Sequence, residues 1–219
     1  MKRIIIICEG ETEQEFCKDV LYPYFQKKNI FIEYPKIKKS NGGIVSWASL
    51  KRQIEIHLRQ NTKVRVTTFI DYYGILKKHH FPKWEESQNI KDKSKRMDFL
   101  ESNMKNDLDS NLRFRFIPYL QLHEFEGLLF NNIKVFKEQI PTKELVDINE
   151  LEQIIKKYPN PELINDKKET APSTRLERLI TGYKKIVYGS ILAEAIGLER
   201  IVAKSPRFRN WLSKLSSDL

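Results

Sequence analysis

Two apolar runs that each end on a carboxylate constrain this chain most. Residues 4–8 read IIIIC and are followed by Glu9, and residues 64–70 read VRVTTFI and are followed by Asp71. Continuous β-prone runs of this kind are expected as strands, the second of them buried. Strands that alternate with helix-forming crossovers favour α/β, a mainly parallel sheet flanked by helices. The intervening sequence agrees. Thr12 to Glu15 has capping-box spacing ahead of FCKDVLYPYF, residues 30–34 form a third strand candidate, and residues 46–60 a helix. Further helix and strand candidates cover 98–108 and LRFRFIPYL at 112–120.

After about residue 132 the pattern changes. Pro141, Pro159, Pro161 and Pro172 divide the tail into short pieces, with helices expected near 149–157, 173–181, 190–197 and 206–215. The predicted organisation is a core over 1–132 and a mostly helical extension over 133–219 packed on it. No apolar stretch is long enough for a membrane span, and Cys8 and Cys17 do not form a disulfide framework, so a cytoplasmic protein with no membrane partner is expected. The net charge of +10 favours an anionic partner such as DNA or RNA. That charge is uneven: residues 116–169 hold ten acidic against seven basic residues, and this acidic centre contains the HEFE sequence at 123–126.

Glu9 and Asp71 both sit where a strand hands over to a loop, the rim at which distant residues converge in open α/β sheets. Glu124 and Glu126 follow another strand candidate and can converge on them only from a turn, because i,i+2 residues diverge on a helix. Glu9, Asp71 and Glu124, assisted by Glu126, would supply hard oxygen ligands to Mg²⁺ or Mn²⁺. The competing reading is helix caps and solvated charge. Lys36, Lys38 and Lys39 beside Gly42 and Gly43, together with Arg175 and Arg178, are the candidate phosphate contacts.

Taken together, CEGETE (8–13), TTFIDYYG (67–74), FIPYLQLHEFEGLLF (116–130), PELIND (161–166), APSTRL (171–176) and GYKKIVYGSILAEAIGLERI (182–201) resemble a bacterial family of uncharacterised toprim-like proteins. The matches cover nearly the whole chain. The resemblance implies a toprim-like sheet with Glu9 and Asp71 at a metal rim, and a distant similarity to the nuclease domains of the overcoming-lysogenization-defect class. It also implies a link to phage defence and to a partner protein of a defence system, with a homodimer left open. In the nuclease branch the later motif is usually Asp-x-Asp, whereas this chain reads Asp71-Tyr72-Tyr73. The expected activity is metal-dependent hydrolysis of phosphodiesters. The alternatives are a catalytically inactive phosphate-binding or regulatory subunit, and a hydrolase of a small nucleotide or other phosphorylated substrate.

Overall fold

The IIIIC run divides its side chains between two cores. Ile4 and Ile6 pack into one, Ile5 and Ile7 into the other, and none of the four is more than 4% exposed. This is the period-two outcome of burying a strand on both faces. The computed structural model describes residues 2–38, 43–165 and 167–217. Its first half comprises β1 (Lys2–Cys8), α1 (Glu11–Phe16), α2 (Tyr22–Gln26), β2 (Ile30–Glu33), α3 (Trp47–Gln60), β3 (Val64–Asp71), α4 (Trp84–Ser87), α5 (Lys93–Asn106), β4 (Phe116–Ile117) and β5 (Leu120–Gln121). Six helices follow: α6 (Ile133–Gln139), α7 (Ile148–Lys157), α8 (Pro172–Leu179), α9 (Lys185–Ile196), α10 (Leu198–Lys204) and α11 (Pro206–Ser216).

The protein is thus α/β. The strand order is β2-β1-β3-β4, β5 also pairs with β3, and every strand pair is parallel. Helices α3 and α5 contribute to the core on the Ile5/Ile7 face. The C-terminal helices share the Ile4/Ile6 core with α1 and α2, so the tail is the second layer of the sheet. Trp211 of α11 shows how tightly it is joined. Its ring stacks on Tyr119 at 4.6 Å and on Phe69 at 5.3 Å, while its Nε1 donates to Thr67 Oγ1 at 2.8 Å.

Several boundaries differ from expectation. The first helix starts at Glu11, and the box that closes it joins Gly10 and Glu13 rather than Thr12 and Glu15: the Gly10 N–H donates to Glu13 Oε2 at 2.9 Å. Between α1 and α2 the helix widens into a π turn over Cys17–Leu21, just before Pro23. Proline has no N–H to donate back into the ladder. Helix α5 begins at Lys93, five residues before the predicted 98, because the Asp92 carboxylate accepts from the Lys95 N–H at 2.8 Å. The single strand predicted over 112–120 is a 3₁₀ turn followed by two short strands on either side of Pro118. Thr68 fills that interruption, since its Oγ1 accepts from the Tyr119 N–H at 3.0 Å and donates to the Tyr119 carbonyl at 2.8 Å. Helix α9 begins five residues before the predicted 190, which brings Lys185 onto its first turn.

Candidate functional site: a carboxylate cluster at the sheet edge

Strands β1 and β3 lie side by side in register, with Cys8 opposite Phe69, and their C-terminal ends open onto the same edge. The ladder runs one step further, the Glu9 N–H donating to the Phe69 carbonyl at 3.1 Å. Glu9 then turns its side chain back, and its Oε2 accepts from the Asp71 N–H at 2.9 Å. Gly74 leaves room for this: a Cβ there would stand 3.4 Å from Glu9 Oε1. Asp71 is held in turn by the HEFE turn, Oδ1 accepting from the Phe125 N–H at 2.9 Å. Sequence reading placed Glu9 and Asp71 on a common rim, and the structure brings them together.

The HEFE segment is a turn, as the metal reading required, but its two carboxylates go different ways. His123 adopts a left-handed backbone (φ 69°), and a 3₁₀ turn covers Phe125–Leu129. Glu124 faces α8, where the Ser173 N–H and hydroxyl both donate to Oε2, at 3.0 and 2.9 Å. Glu124 therefore caps the start of α8. Glu126, fully buried, takes the place expected for Glu124: its Oε1 lies 3.0 Å from Lys185 Nζ and its Oε2 has no hydrogen-bond partner.

Two residues join the cluster that the acidic-site expectation did not include. Glu13, 3% exposed, lies close enough to Glu9 and Asp71 to raise the pKa of both. Lys185 is the countercharge common to Glu9, Glu13, Asp71 and Glu126. A capping box shifted by two residues would have found Glu13. No local pattern marks Lys185, which arrives because α9 packs on α1. A Cβ on Gly189 would sit 3.4 Å from Thr12 and 3.6 Å from Phe125, so α9 comes close at this point.

Four carboxylates therefore share one ammonium. Burial is the main cause that pushes Glu9 up to about 7, and it raises Glu13, Asp71 and Glu126 as well. Burial alone would lower the Lys185 pKa, but Asp71, Glu126 and Glu13 outweigh it and the net shift is upward. Glu9, Glu13, Asp71 and Lys185 line a pocket of about 600 Å³, with Lys36, Ile37 and Ile186 also on its wall, while Glu126 lies buried behind Lys185.

The basic candidates are less concentrated. Lys36 lines the pocket and pairs with Glu11 at 3.0 Å. Lys38 is exposed, its backbone N–H donating to Gln53 Oε1 at 2.9 Å. Lys39 lies outside the described residues. Arg175 is turned to the Thr170 carbonyl at 2.8 Å and Arg178 is paired with Glu150, so neither lines the pocket.

The donor set is hard oxygen with a surplus of negative charge and one buried oxygen without a partner, which suits Mg²⁺ or Mn²⁺ in chemistry. The oxygens are not drawn into a ready-made cage: among the described residues no group of three or more His, Cys, Asp or Glu side chains is arranged to hold a metal ion. Cys8 and Cys17 are free and buried. No helix among the described residues is long and apolar enough to cross a membrane. Comparison with curated proteins and with solved structures finds no match. A single family model spans residues 8–216, almost the entire chain, and on that match the protein belongs to the family described as a domain of unknown function, DUF4276.

Proposed function

We propose that this protein is a toprim-like, divalent-cation-dependent phosphodiesterase that acts on nucleic acid. The observation that carries the reading is the direct bond between two residues 62 positions apart, Asp71 N–H to Glu9 Oε2 at 2.9 Å, inside a cluster where carboxylates outnumber cations. Buried carboxylates in such excess cost several kcal/mol apiece if they stay ionised and uncompensated. Functional sites are where that cost is tolerated.

Glu9, Asp71 and Glu126 would hold Mg²⁺ or Mn²⁺. When bound, the cation supplies Lewis-acid polarisation of a phosphoryl oxygen and makes a bound water more acidic. Glu9, pushed up to about 7 in the cation-free site, would exchange its proton for the cation near neutral pH. Lys185 keeps its proton in this field and can donate to a phosphate oxygen, while Lys36 at the wall meets the flanking phosphate. Glu13 holds the Gly10 N–H and so fixes the turn that presents Glu9. Glu124 is left to position the turn through Ser173.

The test is cleavage of labelled DNA and RNA by purified protein with Mg²⁺ or Mn²⁺. Glu9→Gln and Asp71→Asn should fold and lose turnover. Turnover unchanged in both would reject the site. A second reading, an inactive phosphate-binding subunit, is favoured by Tyr73, which stands where a second acidic residue would be and is 42% exposed. It predicts cation and phosphate binding without cleavage.

A further inference from the structure

We infer that the site accepts an unpaired, flexible nucleotide strand or strand end, and excludes an intact duplex. This rests on the phosphodiesterase reading and names its substrate class. The acidic groups at the floor of the pocket are recessed, Asp71 being 6% exposed and Glu13 3%, with Glu9 half-buried beside them. Their pocket, about 600 Å³, falls in the range of small-ligand cavities, roughly 300–1,000 Å³. A scissile phosphate must descend into it, and its neighbouring base must enter or fold back. A single strand has that freedom, whereas the paired, stacked backbone of a duplex holds its phosphates on an outer surface.

The walls fit the same substrate. Ile186 lines the pocket together with Lys36 and Lys185, so apolar contact for an exposed base stands beside cationic contact for its phosphate, while Ile37 on the same wall is packed into the core. Ile186, 40% exposed, belongs to the first turn of α9 beside Lys185. Bases in a duplex have no free face to offer such a wall.

Charge points the same way. Duplex recognition typically draws on about 6–10 phosphate contacts spread over a wide surface. Here the described pocket wall offers two lysines, one paired with Glu126 and the other with Glu11. Elsewhere Arg3, Lys51, Arg59, Arg178 and Arg207 are each engaged with acidic partners.

The experiment compares binding of end-labelled single-stranded and duplex oligonucleotides of one sequence by fluorescence anisotropy, with Mg²⁺ and the Glu9→Gln protein to prevent turnover. The single strand should bind at least about tenfold tighter, about 1.4 kcal/mol. Its salt slope should be shallow, near −0.7 to −1.4 for about one or two phosphates. Ile186→Asp, on a half-exposed position, should weaken the single strand about tenfold and leave the melting temperature unchanged. Equal or tighter binding of the duplex, or no effect of Ile186→Asp, overturns the inference. Glu9-dependent cleavage of duplex by the wild type would then leave the phosphodiesterase reading standing. A mononucleotide that binds as tightly as the strand overturns the strand assignment in favour of a small substrate. If no nucleic acid is bound or cut, both fall.

Discussion

Replacing Glu9 by glutamine should make the protein more stable and, on the proposed function, abolish cleavage. The Glu9 carboxyl ionises near 4.5 in an unfolded chain and is pushed up to about 7 in the folded one, mainly by burial, with Glu13 adding to the shift. Between those two pH values the folded state binds the extra proton, so stability falls as pH rises through the window. At 1.36 kcal/mol per unit the charge of Glu9 costs about 3 kcal/mol once pH exceeds the folded value. Glutamine keeps an oxygen to accept the Asp71 N–H but carries no charge. In metal-free buffer near pH 8, Glu9→Gln should therefore gain up to about 3 kcal/mol, roughly 6–12 °C in Tm for a chain of this length. Near pH 4.5 the gain should shrink towards zero, because the wild-type carboxyl is then largely protonated in the folded state. Thermal melts followed by circular dichroism at the two pH values measure both effects. Saturating Mn²⁺ at pH 8 should raise the wild-type Tm and move the variant less. A variant less stable than wild type at pH 8, or an equal shift at both pH values, would refute the account of buried, uncompensated charge.

Three other perturbations probe the same architecture. Lys185→Met removes the countercharge of the cluster; because Glu126 is fully buried but the lysine side chain is 44% exposed, the loss near pH 8 should be about 1–3 kcal/mol, with much of it restored by Mn²⁺, as urea titrations with and without the ion would show. Arg207→Ala leaves Glu101, pushed up to about 7 mainly by burial, without the guanidinium 2.6 Å away. Its stability loss should reach about 3–5 kcal/mol near pH 8 and be smaller near pH 5.5, where Glu101 is protonated and no charge is stranded, as paired urea melts would register. At Gly189 an alanine should be nearly neutral, since its Cβ makes ordinary contact at 3.4 Å, whereas leucine should overpack α9 against α1 and Phe125 at a cost of about 1–3 kcal/mol in the same assay.

How far the fold and site were legible follows from the range of the interactions that make them. The runs at 4–8 and 64–70 announce themselves because a strand buried on both faces needs only local apolar character, and the carboxylates ending them land at a common rim once the strands are parallel. The helix from Ser46 was equally plain, since Ser46 Oγ accepts from the Ser49 N–H and the apolar spacing follows. Strand 112–120 was not. Its alternation is real, but Pro118 cannot donate to the ladder, and the repair comes from Thr68, fifty residues away. The capping box was misplaced because Thr-x-x-Glu and Gly-x-x-Glu overlap in GETEQE, and only packing decides between them. Thr12 is buried against Gly189, which leaves Gly10 to start the helix.

The exchange of Glu124 for Glu126 follows the same logic. From HEFE alone Glu124 is the expected ligand and Glu126 its assistant. In the folded chain Asp71 accepts the Phe125 N–H, which anchors the backbone between the two glutamates and sends their side chains apart. Ser173 captures Glu124, and Lys185 captures Glu126. Both captors lie more than forty residues downstream, so the choice is made by the helices that close over the sheet. Glu126 thus joins Glu9, Glu13 and Asp71 from a different strand end and is held by a residue of the C-terminal layer. A deletion that removed that layer would expose the Ile4/Ile6 core and release Lys185 from the cluster together, leaving Glu9, Glu13, Asp71 and Glu126 without their common countercharge.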